Sequence, residues 1–218
     1  NSLTGEVIYT PPQDYETIQE LLTNLENYIN EPNDIDSLVN MAIIHHQFES
    51  IHPFYDGNGR TGRIINILYL ILKDLLDIPV LYLSRYIITH KADYYRLLQE
   101  VRTQDKWEEW ILYMLDAVEQ TSLETIELIN NISDLMIKTQ DKISQDLPKI
   151  YSKDLVEILF MHPYTKIDFL VVKMGLHRHT ASTYLNELEN IGILKPIKIG
   201  RSKYFINLEL FDMLKKGI

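Results

Sequence analysis

His52-Pro53-Phe54-Tyr55-Asp56-Gly57-Asn58-Gly59-Arg60-Thr61-Gly62-Arg63 runs straight into an apolar stretch, Ile64-Ile65-Asn66-Ile67-Leu68-Tyr69-Leu70-Ile71-Leu72. A glycine-rich polar loop that feeds a helix is the feature from which the fold follows. Gly57 and Gly59 flank Asn58, so the backbone can take positive φ and turn several N–H groups toward one point. The helix expected from near Thr61 to about Leu76 adds its unpaired amides and the positive end of its dipole. Such a nest suits phosphate oxygens. Arg60 and Arg63 are three apart, hence on one helical face, and can neutralise a di- or triphosphate with forked donors. Asp56 is a hard oxygen ligand suited to Mg2+ between two phosphates. His52 can accept a proton near neutral pH.

Each of these features is ordinary alone. A Gly-Asn-Gly turn is usually just a turn, an aspartate before a helix is usually a cap, and a single histidine is usually structural. Twelve residues that combine all of them, in complementary roles, make a purely structural reading improbable.

Outward from the loop the pattern is helical. Upstream, Ile18, Leu21, Leu22, Leu25, Tyr28 and Ile29 recur at three- and four-residue steps from Asp14 until Pro32-Asn33. Asp34 or Asp36 can cap the next helix, through Leu38, Val39, Ala42, Ile43 and His46. Downstream, one helix holds Tyr94-Tyr95 and another starts at Trp107 and Trp110. The run from Leu112 to about Ser144 is helical in period and free of Pro and Gly, and Pro148 is the natural boundary. The opening Gly5-Glu6-Val7-Ile8-Tyr9-Thr10-Pro11-Pro12 has β-formers ended by two prolines and reads as a short strand or hairpin arm.

The dodecamer resembles the signature of the Fic (Fido) family, His-x-Phe-x-Asp/Glu-Gly-Asn-Gly-Arg-x-x-Arg, at every fixed position. Ile43-Ile44-His45-His46-Gln47-Phe48-Glu49-Ser50-Ile51 resembles the helix which that family places before its loop, and the likeness extends from about Thr4 to Val118. The resemblance implies a mainly α enzyme, a Fic-type helical bundle with a short β-hairpin flap, that moves AMP from ATP to a Tyr, Ser or Thr hydroxyl and releases pyrophosphate. By that likeness His52 is the general base and Asp56 holds Mg2+. Gly57, Asn58 and Gly59 form the anion hole, with Asn58 at the α-phosphate, and the nest continues through Thr61 and Gly62. Arg60 and Arg63 clamp the outer phosphates. Phe54 is the family's buried anchor. The energetic logic is positioning plus charge stabilisation.

Two further parts carry over by resemblance. Thr4-Gly5-Glu6-Val7 resembles the flap, near 4–10, on which a target peptide adds as a strand, although an ordinary N-terminal strand would read the same. Tyr94 and Tyr95 fall where related proteins set tyrosines against the adenine, although buried tyrosines with tethered hydroxyls would look alike. The family's inhibitory Ser/Thr-x-x-x-Glu-Gly/Asn helix is half-matched by Ser2 to Val7 and unmatched near the C-terminus. It is therefore expected before Asn1 or from another protein; a chain truly without it should be active.

The tail reads as helix, helix, turn, helix and two strands about a basic turn, the order of a winged helix-turn-helix of α+β class. Arg178, His179, Thr180, Ser182, Thr183 and Asn186 are what a recognition helix would present to a major groove. Lys198, Arg201 and Lys203 on the wing suit phosphates. The expected division is a catalytic domain over 1–147, with a linking helix near 120–147, and a winged domain over 148–218.

Charge supports that division. The net charge is −10, but residues 1–149 carry 11 Lys+Arg against 24 Asp+Glu while residues 150–218 carry 10 against 7. An acidic body would repel DNA at long range, and winged helices also dock proteins or dimerise, so both partners and a homodimer stay open. Absent cysteine excludes disulfides and zinc-thiolate sites and fits a reducing, cytoplasmic setting. No apolar run approaches the roughly 20 residues of a membrane span, and the start at Asn1 suggests a trimmed chain. Three functions compete: AMP transfer to a target protein or to itself, a nucleotide-binding transcriptional or toxin-control regulator, and transfer of UMP or phosphocholine.

Overall fold

A computed structural model describes residues 8–217. The expected flap residues Thr4, Gly5, Glu6 and Val7, and the half-match at Ser2 to Val7, lie outside the described residues; Ile8 to Thr10 run without strand pairing. The described chain is mostly helical and forms two compact units, one up to Leu123 and one from Glu124.

In the first unit, α1 (Tyr15–Asn30) opens on Asp14, whose carboxylate accepts from Thr17 N–H at 2.8 Å. Asp36 caps α2 (Ser37–Ile51), accepting from the Leu38 and Val39 amides. Next comes α3 (Asn58–Leu72), which ends four residues short of the expected Leu76 because Asp74 turns the chain at φ 55°. Two short helices, α4 (Leu83–Thr89) and α5 (Lys91–Gln104), precede the 40-residue α6 (Trp107–Asp146).

Helix α2 is central. Met41, Ala42, Ile44, Phe48 and Ile51 are all buried, together with Leu70 of α3, Leu97 and Leu98 of α5, and Trp110, Met114 and Ala117 of α6. The Trp110 indole N–H donates to the Ala42 carbonyl at 2.9 Å, so the largest core side chain leaves no polar atom unpaired. This core supports the end of α2 and the start of α3, the two points between which the loop hangs.

The second unit holds the end of α6, then α7 (Lys153–Phe160), β1 (Tyr164–Thr165), α8 (Ile167–Met174), α9 (Arg178–Asn190), β2 (Leu194–Ile199), β3 (Ser202–Asn207) and α10 (Leu208–Gly217). The strands form one antiparallel sheet ordered β1-β3-β2, with Lys198 opposite Lys203 beside the turn at Gly200. Ile143, Leu155, Leu159, Leu170, Ala181, Leu185, Leu188 and Phe205 form its core. This order is compatible with the expected winged helix-turn-helix. Strand β1, between α7 and α8, and the closing helix α10 are elements that the sequence reading did not include; Asn207 starts α10 by accepting from Leu210 N–H at 3.2 Å. No helix among the described residues is long and apolar enough to cross a membrane.

Candidate functional site

The loop is held by its own backbone. Asn58 is buried, and its side chain is committed to Phe54: Oδ1 accepts from Phe54 N–H at 2.9 Å and Nδ2 donates to Phe54 C=O at 2.6 Å. The amide thus mimics a strand pairing and closes residues 54–58 into a ring. Its backbone N–H, with those of Gly59 and Arg60, belongs to the first turn of α3 and has no intrahelical acceptor. Thr61 N–H already bonds Gly57 C=O, and the Thr61 hydroxyl donates to the same carbonyl at 3.1 Å. Gly57 sits at φ 90°, a conformation that excludes most side chains, and turns the chain into the helix.

Phe54 differs from expectation. It is 50% exposed, with its ring tilted against Phe48 at 6.3 Å, so the anchor is the Asn58 amide and not a buried ring. The physical reason is that two hydrogen bonds to the Phe54 backbone fix the loop without requiring its side chain.

At the other edge, His52 caps α2 in the left-handed region, φ 50° and ψ 54°, with its N–H on the Phe48 carbonyl at 3.0 Å. A non-glycine residue there is uncommon and strained, as befits a side chain held out at a loop edge. His52 is 44% exposed at the side chain, and its Nδ1 lies 4.0 Å from the carboxylate of the largely buried Glu49. Glu49 was not singled out from the sequence. An acid at a helix position shared with apolar neighbours carries no signal until the fold sets it beneath the loop.

The remaining loop residues separate by direction. Asp56 faces solvent, Oδ1 accepting from Gly57 N–H at 2.7 Å and Oδ2 from Arg60 Nη2 at 3.2 Å. Arg63, expected on the same face as Arg60, turns inward: its Nη1 lies 3.2 Å from where a Gly59 Cβ would stand, near Glu49. Gly62 is buried, and a Cβ there would meet the His45 ring at 3.1 Å. Asp56 is an exposed hard-oxygen donor, the kind of single carboxylate that Mg2+ takes alongside substrate phosphates and water; the described residues hold no group of three His, Asp or Glu.

Behind the loop lies a buried polar layer. Asn66 Nδ2 donates to His45 Nδ1 at 3.1 Å, and His45 Nε2 then donates to the Tyr94 hydroxyl at 2.9 Å. His46 Nε2 donates to the Leu98 carbonyl at 3.2 Å. Burial pushes both imidazoles down to about 4, so both are neutral. Tyr94 is thus tethered in the core and its hydroxyl is pushed well up by burial, whereas Tyr95 is 59% exposed with the Lys91 ammonium over its ring at 5.8 Å.

In the second unit, Arg178 pairs with Asp168 at 2.6 Å, and Lys203 lies 3.6 Å from Glu189 and donates to Asn186. His179, Thr183 and Arg201 are exposed on α9 and the wing turn, and Thr180 is partly covered.

Known proteins resemble both units. The Fic/DOC family profile matches residues 2–70, and the profile described as the C-terminal domain of SoFic-like protein adenylyltransferase matches residues 135–210. A probable protein adenylyltransferase of Aquifex aeolicus is 27% identical over 199 residues, 87% of this chain and 54% of that protein. The protein adenylyltransferase fic-1 of Caenorhabditis elegans is 36% identical over 56 residues, 25% of this chain and 11% of that protein. The chain spans about half the length of the Aquifex relative. A crystal structure of a Fic family protein from Desulfovibrio desulfuricans shares the fold, with a TM-score of 0.50 and 22% identity, covering 93% of this chain and 58% of that one. The loop, its supporting helices and the two family profiles together support a Fic family protein.

Proposed function

We propose that the chain is a protein adenylyltransferase that moves AMP from ATP to a Tyr, Ser or Thr hydroxyl of a target protein, itself included. The observation that carries the reading is the loop from His52 to Arg63: a strained histidine at one edge, unpaired helix-start amides at the other, and Asp56 and Arg60 between them facing solvent.

The α- and β-phosphates rest on the amides of Asn58, Gly59 and Arg60, where partial positive charge is already oriented and need not reorganise. Arg60 swings from Asp56 to the outer phosphates, and Arg63 supplies charge from the inner side. Asp56, released from Arg60, would hold Mg2+, which supplies neutralising charge on the phosphates when bound. The target hydroxyl gives its proton to the free ring nitrogen of His52 as its oxygen bonds to the α-phosphorus. The bond from that phosphorus to the bridging oxygen breaks, and pyrophosphate leaves with the electron pair. Exposed Tyr95 offers a face to the adenine, while Tyr94 steadies the layer beneath.

ATP labelled at the α-phosphate tests this directly. Incubated with the chain and a cell lysate, it should label protein, and His52→Ala should abolish the label. Label only from the γ-phosphate, or none while nucleotide still binds, would reject AMP transfer.

A further inference from the structure

Glu49 is a charged side chain with no part in the chemistry above, yet it lies directly under the loop. It stands one helical turn before His52 on α2 and is buried, with Oε2 4.0 Å from His52 Nδ1. Its other oxygen, Oε1, has no hydrogen-bond partner and lies 3.5 Å and 3.2 Å from where a Cβ at Gly59 and Gly62 would stand. The carboxylate therefore occupies the space those two glycines leave beneath the first turn of α3. Arg63 flanks it, with Nη1 beside the same Gly59 point and a buried, unpartnered Nε. Burial pushes the Glu49 carboxyl up, while the charges of His52, Arg63 and Arg102 pull it down.

We propose that Glu49 is a positioning residue: its carboxylate takes the Nδ1–H of His52 from behind the loop and so leaves Nε2 unprotonated, with Arg63 as its counter-charge. An imidazole can serve as a base only through the nitrogen that carries no proton, and the partner of the other nitrogen selects which one that is. A carboxylate on Nδ1 selects the tautomer and also steadies the positive ring once a proton arrives. A small side-chain rotation closes 4.0 Å to hydrogen-bond distance, the usual tightening between an empty and a loaded site. Gly62 leaves the room that the other Glu49 oxygen and the His45 ring occupy. The inference rests on the reading of His52 as the base.

The test uses the full chain labelled with 15N-histidine. The His52 resonances are identified by their loss in His52→Ala, one of seven histidines. In the unaltered chain His52 should show Nδ1 protonated and Nε2 bare, and Glu49→Gln should move it toward the opposite tautomer that free imidazole favours. A wild-type His52 protonated on Nε2, or an identical tautomer in Glu49→Gln, overturns the proposal; should Glu49→Gln not fold, the wild-type tautomer decides alone. With α-labelled ATP, Glu49→Gln should slow label transfer by at least about tenfold with KM for ATP within about threefold, and Glu49→Asp should recover part of the rate. Label lost in His52→Ala but undiminished in Glu49→Gln refutes the role of Glu49. Label retained in His52→Ala refutes the base itself, a separate failure.

Discussion

The guanidinium carbon of Arg102 lies 3.8 Å from the centroid of the Tyr9 ring, and the Tyr9 hydroxyl donates to the Ser50 carbonyl, two residues before His52. Arg102 also donates to the Ser50 hydroxyl at 3.1 Å and to the Glu49 carbonyl at 3.3 Å, and Gln99 donates to the Ile8 carbonyl. The segment just after the proposed flap is thereby fastened to the end of α2. Arg102→Ala removes a half-buried cation–π contact and two charged hydrogen bonds, and should lower unfolding free energy by about 2 kcal/mol. Arg102→Lys should not restore it, since one ammonium cannot both stack on Tyr9 and reach two acceptors. Urea unfolding of the three forms measures both.

Asn58 is the second support. Asn58→Ala leaves the N–H and C=O of Phe54 without their partners and should destabilise the chain by about 2 kcal/mol. Asn58→Asp keeps one acceptor but sets a carboxylate against the Phe54 carbonyl, so it should be no better than alanine. Thermal unfolding with label transfer from α-labelled ATP should show activity falling before the fold is lost.

The two inner glycines should answer differently to the same methyl group. At Gly59 a Cβ crowds the far end of Arg63 at 3.2 Å, which can move, and meets Glu49 Oε1 at an ordinary contact distance of 3.5 Å, while alanine favours a helix by up to about 1 kcal/mol. Gly59→Ala should therefore leave stability unchanged or slightly raised. At Gly62 a Cβ meets the packed His45 ring and the Glu49 carboxylate, and Gly62→Ala should destabilise by about 1–2 kcal/mol. Midpoints from the same melting experiment decide the contrast.

His45 and His46 make stability depend on acidity. Burial holds both near 4, below their ordinary value of 6.5, so the unfolded chain binds more protons between those values. Stability from each is fully present above about 6.5 and falls as the pH drops toward 4, by on the order of 2 kcal/mol at pH 5. Glu49, raised by burial, acts in the opposite sense and reduces the net slope. Urea unfolding at pH 7.5, 6 and 5 should show a monotonic loss, halved in a chain where His46 is replaced by glutamine.

For the second unit, groove contact through α9 and the wing remains a proposal with a quantitative consequence. Arg178 and Lys203 are already engaged with Asp168 and Glu189, which leaves Arg201 and Lys198 as the readiest phosphate partners. Duplex DNA titrated into the full chain should bind weakly, with a salt slope equivalent to only about two or three phosphates, reduced by Arg201→Ala. No binding at low salt would remove DNA as a partner.

The order of glycines, acid and arginines between His52 and Arg63 carried the likeness to the Fic family, and with it the proposal of a phosphate-bearing ligand, from sequence alone. Those properties are local: the loop is twelve contiguous residues, and its amides are unpaired because any helix start leaves them so. The helix start at Asp14, a cap at Asp34 or Asp36, and two strands about the basic turn were legible for the same reason, while the structure chose Asp36 and set the register. Tertiary structure decided what spacing cannot encode. It turned Arg60 outward and Arg63 inward, gave the anchoring task to Asn58 in place of the Phe54 ring, buried Tyr94 while exposing Tyr95, and set Glu49 under the loop. Each of those outcomes depends on which neighbours desolvate a side chain, and residues as distant in sequence as Tyr9, Glu49 and Arg102 become neighbours only when α2, α3 and α5 pack.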